Sequence, residues 1–122
     1  MLVMIAAFIS PFRNDRDVMR NSMPPGRFVE IFVDCPLEVC EKRDTKGLYL
    51  KARKGEITNF VGIDLPYEEP QSPEIVVNTS QQSIDECLQL IKDYIDREFF
   101  LGDSYQHSEA VNGRKESQKN SF

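Results

Sequence analysis

A cluster of arginines near the start of the chain is the first feature that could carry chemistry. Arg13, Arg16 and Arg20 stand at positions i, i+3 and i+7, so a helix would place them on one face. Guanidinium groups bind the oxygens of phosphate and sulfate through paired hydrogen bonds. Asp15 and Asp17 lie among the arginines. An ion-paired, solvated helix face is therefore the alternative to an anion site, and the residues alone leave both open.

A second basic cluster, which we call the basic segment, spans residues 42–54. It contains six basic side chains and one acidic side chain, which leaves +5 over these residues in a chain whose net charge is −5. The basic residues are Lys42, Arg43, Lys46, Lys51, Arg53 and Lys54. A mobile cationic helix that closes over polyphosphate would screen the charge of phosphoryl transfer and exclude water. The alternative is a helix that exposes its lysines to solvent.

Candidate nucleotide contacts outside the basic segment are few. Phe60 lies in a glycine-containing loop over residues 59–64, where its ring could stack on a purine or pin the loop to the core. Ser10 follows an apolar segment, and its hydroxyl could face a ligand there. The phosphate-binding pattern GxxxxGK(S/T) and the dinucleotide pattern GxGxxG do not occur in the 122 residues.

An alternating pattern of strands and helices positions these residues. Residues 1–9 are an unbroken apolar segment, which predicts a strand buried on both faces of a parallel sheet. The elements predicted after it are a helix over 13–22, a strand over 27–34, helices over 36–44 and 46–54, a loop over 59–73, a strand over 74–77 and a helix from a Ser83/Glu86 capping box to Ile95.

This order predicts an α/β fold with three parallel strands and flanking helices. Ligands bind beyond the carboxyl ends of the strands in such folds. The segments expected at those ends begin at Ser10, Asp34 and Asn78. Each carries a polar side chain, so the sequence predicts a ligand site along this edge of the sheet.

Composition limits the class of protein. The 122 residues, 40% of them hydrophobic, suit one small domain over residues 1–101, followed by an expected disordered tail over 102–122. A net charge of −5 argues against nucleic acid or an anionic membrane surface as a partner. With three cysteines and one histidine, we expect neither a disulfide framework nor a bound structural metal, in a reducing, cytoplasmic compartment.

Two long stretches resemble one known family. They read AAFISPFRNDRDVMR and FVEIFVDCPLEVCEKRDTKGLYLKARKGEITNFVGIDLPYEEPQSPEIVVNT, and the similarity extends from about Met4 to Ile95. They resemble the C-terminal portion of adenylylsulfate kinases (APS kinases). The resemblance implies a P-loop kinase-type fold that is N-terminally truncated, and a homodimer of cytosolic sulfate assimilation. It also implies transfer of the γ-phosphoryl group of ATP to the 3′-hydroxyl of adenosine 5′-phosphosulfate (APS), with Mg²⁺.

The resemblance also implies roles for individual residues. Ser10 matches a serine described in the family as a phosphoserine intermediate or a substrate contact, and we favour the contact because in-line transfer needs no covalent serine. The expected APS-binding residues are Ile9, Ser10, Lys46, Asn59 and Phe60, with Phe60 stacked on the adenine. The expected ATP-binding residues are Arg43 and Thr79, and the expected lid residues are Lys51, Arg53 and Lys54.

The front half of the family's domain would precede Met1, together with its phosphate loop and part of its substrate clamp. We therefore expect the 122 residues alone to be catalytically inactive, and the apolar first strand to expose an edge that favours self-association. The alternative is a non-catalytic remnant that binds subunits of the same fold, and a weaker alternative is another small nucleotide kinase.

Overall fold

The computed structural model describes residues 2–101. In chain order they form α1 (Arg13–Asn21), β1 (Ile31–Asp34), α2 (Leu37–Arg43), α3 (Leu48–Arg53), β2 (Ile75–Asn78), α4 (Ile84–Ile95) and a π-helix (Asp96–Leu101). The chain divides into two compact units, Met1–Gln81 and Gln82–Phe122. The expected tail over 102–122 lies outside the described residues. All the predicted site residues belong to the first unit.

The first unit is built on a parallel pair of strands. Ile31 of β1 lies beside Ile75 of β2, and the register continues to Asp34 beside Asn78. Parallel pairing requires a crossover connection, and α2 and α3 lie within it. Ile75 and Val77 of β2 are buried, with Val77 only 2% exposed. The predicted α/β class with a parallel sheet is therefore confirmed, and the carboxyl ends of the two strands meet at one edge.

The predicted strand over residues 1–9 is wrong for the part that the structure describes. Residues 2–9 have no regular secondary structure and are exposed, with Leu2 at 94% and Ile5 at 81%. A strand buried on both faces needs a neighbouring strand for its backbone and apolar cover for its side chains. Within residues 2–101 the sheet consists of β1 and β2 alone. The apolar composition of this segment favours burial, but the described chain supplies no strand to pair with it.

The four predicted helices are confirmed, with ends that differ by one to a few residues. Asp44 joins two of them, because its carboxylate accepts hydrogen bonds from the N–H groups of Tyr49 (3.0 Å) and Leu50 (3.1 Å) at the start of α3. Gly47, at φ +67°, makes the turn before α3. These contacts fix the direction in which the chain of the basic segment continues from the end of α2 into α3.

The second unit begins with the predicted capping box. Ser83 Oγ accepts from the Glu86 N–H at 3.2 Å, and the Glu86 carboxylate accepts from the Ser83 N–H at 2.7 Å. These bonds satisfy N–H groups that lack partners at the start of α4. Among residues 2–101, no helix combines the length and the apolar character that crossing a bilayer requires.

Candidate functional site

Ser10 lies in a segment without regular secondary structure that a buried arginine holds in place. Its φ is +40°, in the left-handed region that residues other than glycine rarely adopt. The Ser10 carbonyl accepts a hydrogen bond from Arg16 Nη1 at 2.6 Å, and Arg16 Nη2 donates to the Glu68 carbonyl. The Glu68 N–H donates to the Pro11 carbonyl at 2.8 Å. Arg16 thus joins the backbone at Ser10 to the loop containing Glu68. The neighbouring Ile9 is 69% exposed.

The arginines of α1 form ion pairs with carboxylates from other elements. Arg16 is 8% exposed and its Nε lies 3.2 Å from Glu30. Arg20 contacts both Glu30 and Glu74, and its hydrogen bond to Glu74 is the main reason that the pKa of Arg20 is raised. The ion-paired alternative is therefore the one that the structure shows. Asp15 and Asp17 are not its carboxylates, and Arg16 is buried instead of solvated.

A depression of about 320 Å³ lies beside α1, away from the predicted site. Its lining residues are Arg13, Asp17, Arg20, Glu30, Pro70, Gln71 and Ser72. None of the predicted APS-binding or ATP-binding residues is among them. Because Arg20 and Glu30 are already paired with each other, we assign no anion to this depression.

Arg43 and Thr79 meet at the carboxyl ends of the two strands. Arg43 Nη2 donates to the Thr79 carbonyl at 2.6 Å, and Nη1 lies 3.4 Å from the Thr79 hydroxyl. The Thr79 N–H donates to the Asp34 carbonyl at 3.0 Å, which continues the parallel pairing past the end of β1. These two residues, which the family resemblance implied as ATP contacts, are therefore neighbours.

Phe60 lies in a loop that one carboxylate organises. Asp64 accepts hydrogen bonds from the N–H groups of Asn59 (2.8 Å) and Phe60 (2.6 Å), and Asn59 adopts φ +56°. The half-buried ring of Phe60 packs edge-on against Tyr49 of α3, with centroids 5.0 Å apart. This contact ties the loop to α3, as the packing alternative predicted, and it also places Phe60 beside the basic segment.

The basic segment is largely exposed. Lys46 lies in the turn before α3, and Lys51 and Lys54 lie on α3 and at its end, all three exposed. Arg53 is bound to Glu41 of α2, with Nε 2.6 Å from the carboxylate. The hydrogen bond from Arg53 holds the pKa of Glu41 below its ordinary value. Within the predicted lid, Arg53 is thus occupied by an ion pair while the two lysines face solvent.

The contacts join the predicted residues in three groups. Arg43 and Thr79 form the first group, and Phe60 with α3 forms the second. Ser10 belongs to the third, which Arg16 and the Glu68 carbonyl complete. That the three groups converge on one pair of nucleotides stays a prediction.

Sequence reasoning missed two carboxylates that position the site. Asp44 caps α3 and Asp64 organises the loop at Phe60. Aspartate three to five positions before a helix start, or within a turn that contains glycine, is a signal for such bonds. It also missed Tyr49, whose packing partner lies beyond the helix and leaves no local signal.

The described residues do not fit a magnesium site. Among residues 2–101, no group of three or more histidine, cysteine, aspartate or glutamate side chains is placed to hold a metal ion. Mg²⁺ prefers several oxygen ligands in octahedral geometry.

The fold and these contacts first define a class, the α/β proteins whose ligand sites lie at the carboxyl ends of parallel strands. The family described as Adenylylsulphate kinase matches residues 1–78. Over 94 residues the chain is 54% identical to the adenylyl-sulfate kinase of Marinobacter nauticus and 55% identical to that of Oceanobacillus iheyensis. Each match covers 77% of this chain and 47% of the relative. The chain therefore belongs to the adenylylsulphate kinase family, and it spans about half the length of the curated relatives it matches.

A solved structure supports the same assignment. It is the APS kinase CysC of Mycobacterium tuberculosis in complex with AMPPNP and APS, which matches with a TM-score of 0.66 and 42% sequence identity. The match covers 73% of this chain and 52% of that chain. The predicted P-loop kinase-type fold is confirmed by this likeness.

Proposed function

We propose that this protein acts in the adenylyl-sulfate kinase reaction, with its residues binding the two nucleotides. In this reaction the γ-phosphoryl group of ATP passes to the 3′-hydroxyl of APS. The observation that carries the proposal is the contact between Arg43 and Thr79 at the carboxyl ends of β1 and β2, in a chain 54% identical to an adenylyl-sulfate kinase over 94 residues.

On the acceptor side, the loop at Phe60 holds the adenine of APS. Phe60 stacks on the base, a contact that is worth about 1–3 kcal/mol for aromatic side chains on bases. Asn59 lies beside it, with its backbone fixed by Asp64. Ile9 and Ser10 line the same pocket, and Lys46 approaches the nucleotide. Ser10 contacts the substrate without forming a phosphoserine, because the phosphoryl group passes directly between the two oxygens.

On the donor side, Arg43 and Thr79 lie against the ATP base and the basic segment closes over the phosphates. As the γ-phosphorus bonds to the 3′-oxygen of APS, its bond to the bridging oxygen breaks, ADP leaves with that electron pair, and the hydroxyl proton is released. Lys51 and Lys54 screen the charge that develops on the equatorial oxygens. Arg53 joins them only if it exchanges Glu41 for a phosphate. Mg²⁺ accompanies ATP in this proposal, with no described residue assigned to it.

The proposal extends to a cytoplasmic homodimer that works in sulfate assimilation. The cysteine usage supports a reducing compartment, and the acidic net charge of −5 is consistent with small anionic substrates only because the basic segment provides local positive charge. The 122 residues by themselves contain no GxxxxGK(S/T), so we propose that they do not turn over alone.

A chimera tests the function. In the Oceanobacillus iheyensis adenylyl-sulfate kinase, the matched 94 residues are replaced by those of this chain. We expect the chimera to form ADP and phosphorylated APS from ATP and APS, and the 122-residue chain alone to form neither. A chimera that unfolds at the same urea concentration as its parent but gives no product would contradict the proposed function, and turnover by the chain alone would contradict its inactivity.

A matched pair of variants separates binding from packing at Phe60. In the chimera, Phe60→Leu keeps apolar volume against Tyr49 but removes the aromatic face, whereas Phe60→Tyr keeps both. We expect Phe60→Leu to raise the KM for APS about 5- to 100-fold with little change in the unfolding midpoint, and Phe60→Tyr to leave KM nearly unchanged. A lowered midpoint with an unchanged KM would assign Phe60 to packing alone.

A further inference from the structure

The start of α2 brings two cysteine side chains together. Pro36 is the N-cap residue, so Cys35 immediately precedes the cap and Cys40 is the fourth residue of the helix. Side chains at these two positions pack on each other in the hydrophobic staple of helix starts. Both the Val39 and Cys40 N–H groups donate to the Pro36 carbonyl, at 3.0 and 3.1 Å, which closes this turn tightly.

The contacts of the two thiols agree with this spacing. Cys40 Sγ lies 3.9 Å from the carbonyl oxygen of Cys35, and the Cys40 thiol also interacts with the thiol of Cys35. Both cysteines are free and half-buried, so small reagents can reach them, whereas Cys87 is free and buried in the other unit. Three cysteines predicted no disulfide framework, so this pair was not expected from the sequence.

The surroundings of the two sulfurs differ. Cys35 Sγ lies 3.9 Å from Arg43 Nη1, which brings a positive charge to that sulfur. Burial, followed by the interaction with Cys35, raises the pKa of the Cys40 thiol. Thiolates are the attacking species in thiol oxidation and exchange. Because burial disfavours the thiolate of Cys40, Cys35 is the side chain placed to react first, and Cys40 is the side chain placed to resolve the product.

We propose that Cys35 and Cys40 form a reversible intrachain disulfide when the protein meets a peroxide or a small-molecule disulfide. With hydrogen peroxide, the Cys35 thiolate attacks one oxygen and becomes a sulfenic acid as the O–O bond breaks and hydroxide leaves, and this hydroxide takes up the proton released by the Cys35 thiol to form the first water. The Cys40 sulfur then bonds to Cys35 and displaces hydroxide, which takes up the Cys40 proton as a second water. The two sulfurs lose two electrons in total and the peroxide gains them. A thiol reductant reverses the bond by exchange.

Disulfide formation changes the contacts of Arg43. It turns Cys35 Sγ toward Cys40, so the sulfur leaves the guanidinium that also binds Thr79. An effect on ATP binding would follow, and this consequence alone rests on the proposed function. The disulfide itself is independent of any nucleotide. Disulfides in reducing compartments are usually transient and redox-sensing, which fits a reversible bond.

Peptide mapping of the 122-residue chain tests the disulfide directly. The chain is incubated with hydrogen peroxide or with oxidised glutathione, alkylated under denaturing conditions, and digested with trypsin. Both cysteines fall in the single tryptic peptide 28–42, whereas Cys87 falls in 55–92. We expect most of peptide 28–42 to escape alkylation and to be lighter than the reduced peptide by two hydrogen atoms. Cleavage after Glu38 should leave its two parts joined, and dithiothreitol should separate them.

Two variants sharpen the result. Cys87→Ala should form the same linkage, and Cys40→Ser should lose it and carry a sulfenic acid or a glutathione adduct on Cys35. Alkylation of both Cys35 and Cys40 after oxidation would overturn the proposal, as would a linkage to Cys87 or between two chains. Because mapping of the unaltered chain distinguishes these products, the test holds even where a variant does not fold. If the oxidised chimera loses ATP binding but does not contain the Cys35–Cys40 linkage, the disulfide is refuted. The loss of binding would then concern the proposed role of Arg43 alone.

Discussion

The arginine cluster of α1 and the basic segment carry similar positive charge but use it in different ways. On α1, Arg16 and Arg20 are bound by Glu30 and Glu74, and Arg16 also donates to two backbone carbonyls. In the basic segment, Lys46, Lys51 and Lys54 are exposed to solvent. Arginine and lysine both bind phosphate oxygens, so the residue types alone do not distinguish the two clusters.

The difference lies in what the surrounding elements supply. Carboxylates before β1 and before β2 neutralise the α1 arginines, so these side chains hold the strands and the loop at Glu68 in place. The segment 42–54 contains Asp44 as its one acidic residue, and its two oxygens are used by backbone N–H groups of α3. Because Lys46, Lys51 and Lys54 are exposed, the basic segment is the cluster that we propose for nucleotide binding, whereas the α1 arginines serve a structural role.

The largest expected effect is on stability, at Arg16. Arg16→Ala removes one of the two arginine partners of the 14%-exposed Glu30 carboxylate, which keeps Arg20, and it removes hydrogen bonds to two backbone carbonyls. We expect the free energy of unfolding to fall by about 2–4 kcal/mol, because hydrogen bonds from a charged group to part-buried acceptors are lost. Urea denaturation of the chain measures it. Arg13→Ala is the matched control on the same helix, where the side chain is 37% exposed and 3.6 Å from Glu68, and should cost about 0–1 kcal/mol. Equal losses at the two positions would remove the structural role assigned to Arg16.

The next effect is on substrate binding, at Arg43. In the chimera, Arg43→Gln should raise the KM for ATP about tenfold, or about 1.4 kcal/mol, because the guanidinium at Thr79 is replaced by a neutral group. Steady-state kinetics with varied ATP measures it. Lys42→Gln, which removes the same charge from the adjacent exposed residue, is the control and should change KM much less. If the two variants behave alike, net charge explains the effect and the Arg43 contact does not.

A smaller effect is the dependence of stability on pH, at Glu74. Burial by itself raises the pKa of Glu74, but hydrogen bonds from Arg20 and from backbone N–H groups outweigh it and hold the pKa below its ordinary value of 4.5. The stability that Glu74 contributes is therefore complete above 4.5 and is lost as the pH falls through the lower folded-state pKa. The difference in unfolding free energy between the unaltered chain and Glu74→Gln should shrink as the pH is lowered from 6 toward 3. A difference that stays constant over this range would show that Glu74 is not stabilised as a carboxylate.

The smallest effect is expected at the ion pair of Glu41 with Arg53. This pair links α2 to α3, but the Arg53 side chain is 54% exposed, and exposed pairs contribute little. Glu41→Gln should leave the urea midpoint within experimental error, and Arg53→Gln should behave in the same way. A clear loss of stability in both variants would mean that the basic segment is clamped structurally, as α1 is, and would weaken its assignment as a lid.

Prediction from sequence succeeded where the signal was local. The starts of α4 and α2 were predicted from the Ser83/Glu86 capping box and from Pro36. Both signals consist of residues within four positions of the helix start. The family resemblance predicted that Arg43 and Thr79 both contact ATP. The parallel pairing of β1 and β2 brings the two residues together. The strand over residues 1–9 failed because apolar composition indicates burial but does not supply a strand to pair with.

The sequence by itself determined the helix starts, the parallel α/β class, the positive charge of residues 42–54 and membership of the adenylylsulphate kinase family. The tertiary structure alone decided which cations are neutralised by carboxylates and which are left exposed. Arg20 and Glu74 are 54 positions apart, and Arg43 and Thr79 are 36 positions apart. Side-chain electrostatics depends on distance in space, and local sequence patterns do not encode contacts across such separations.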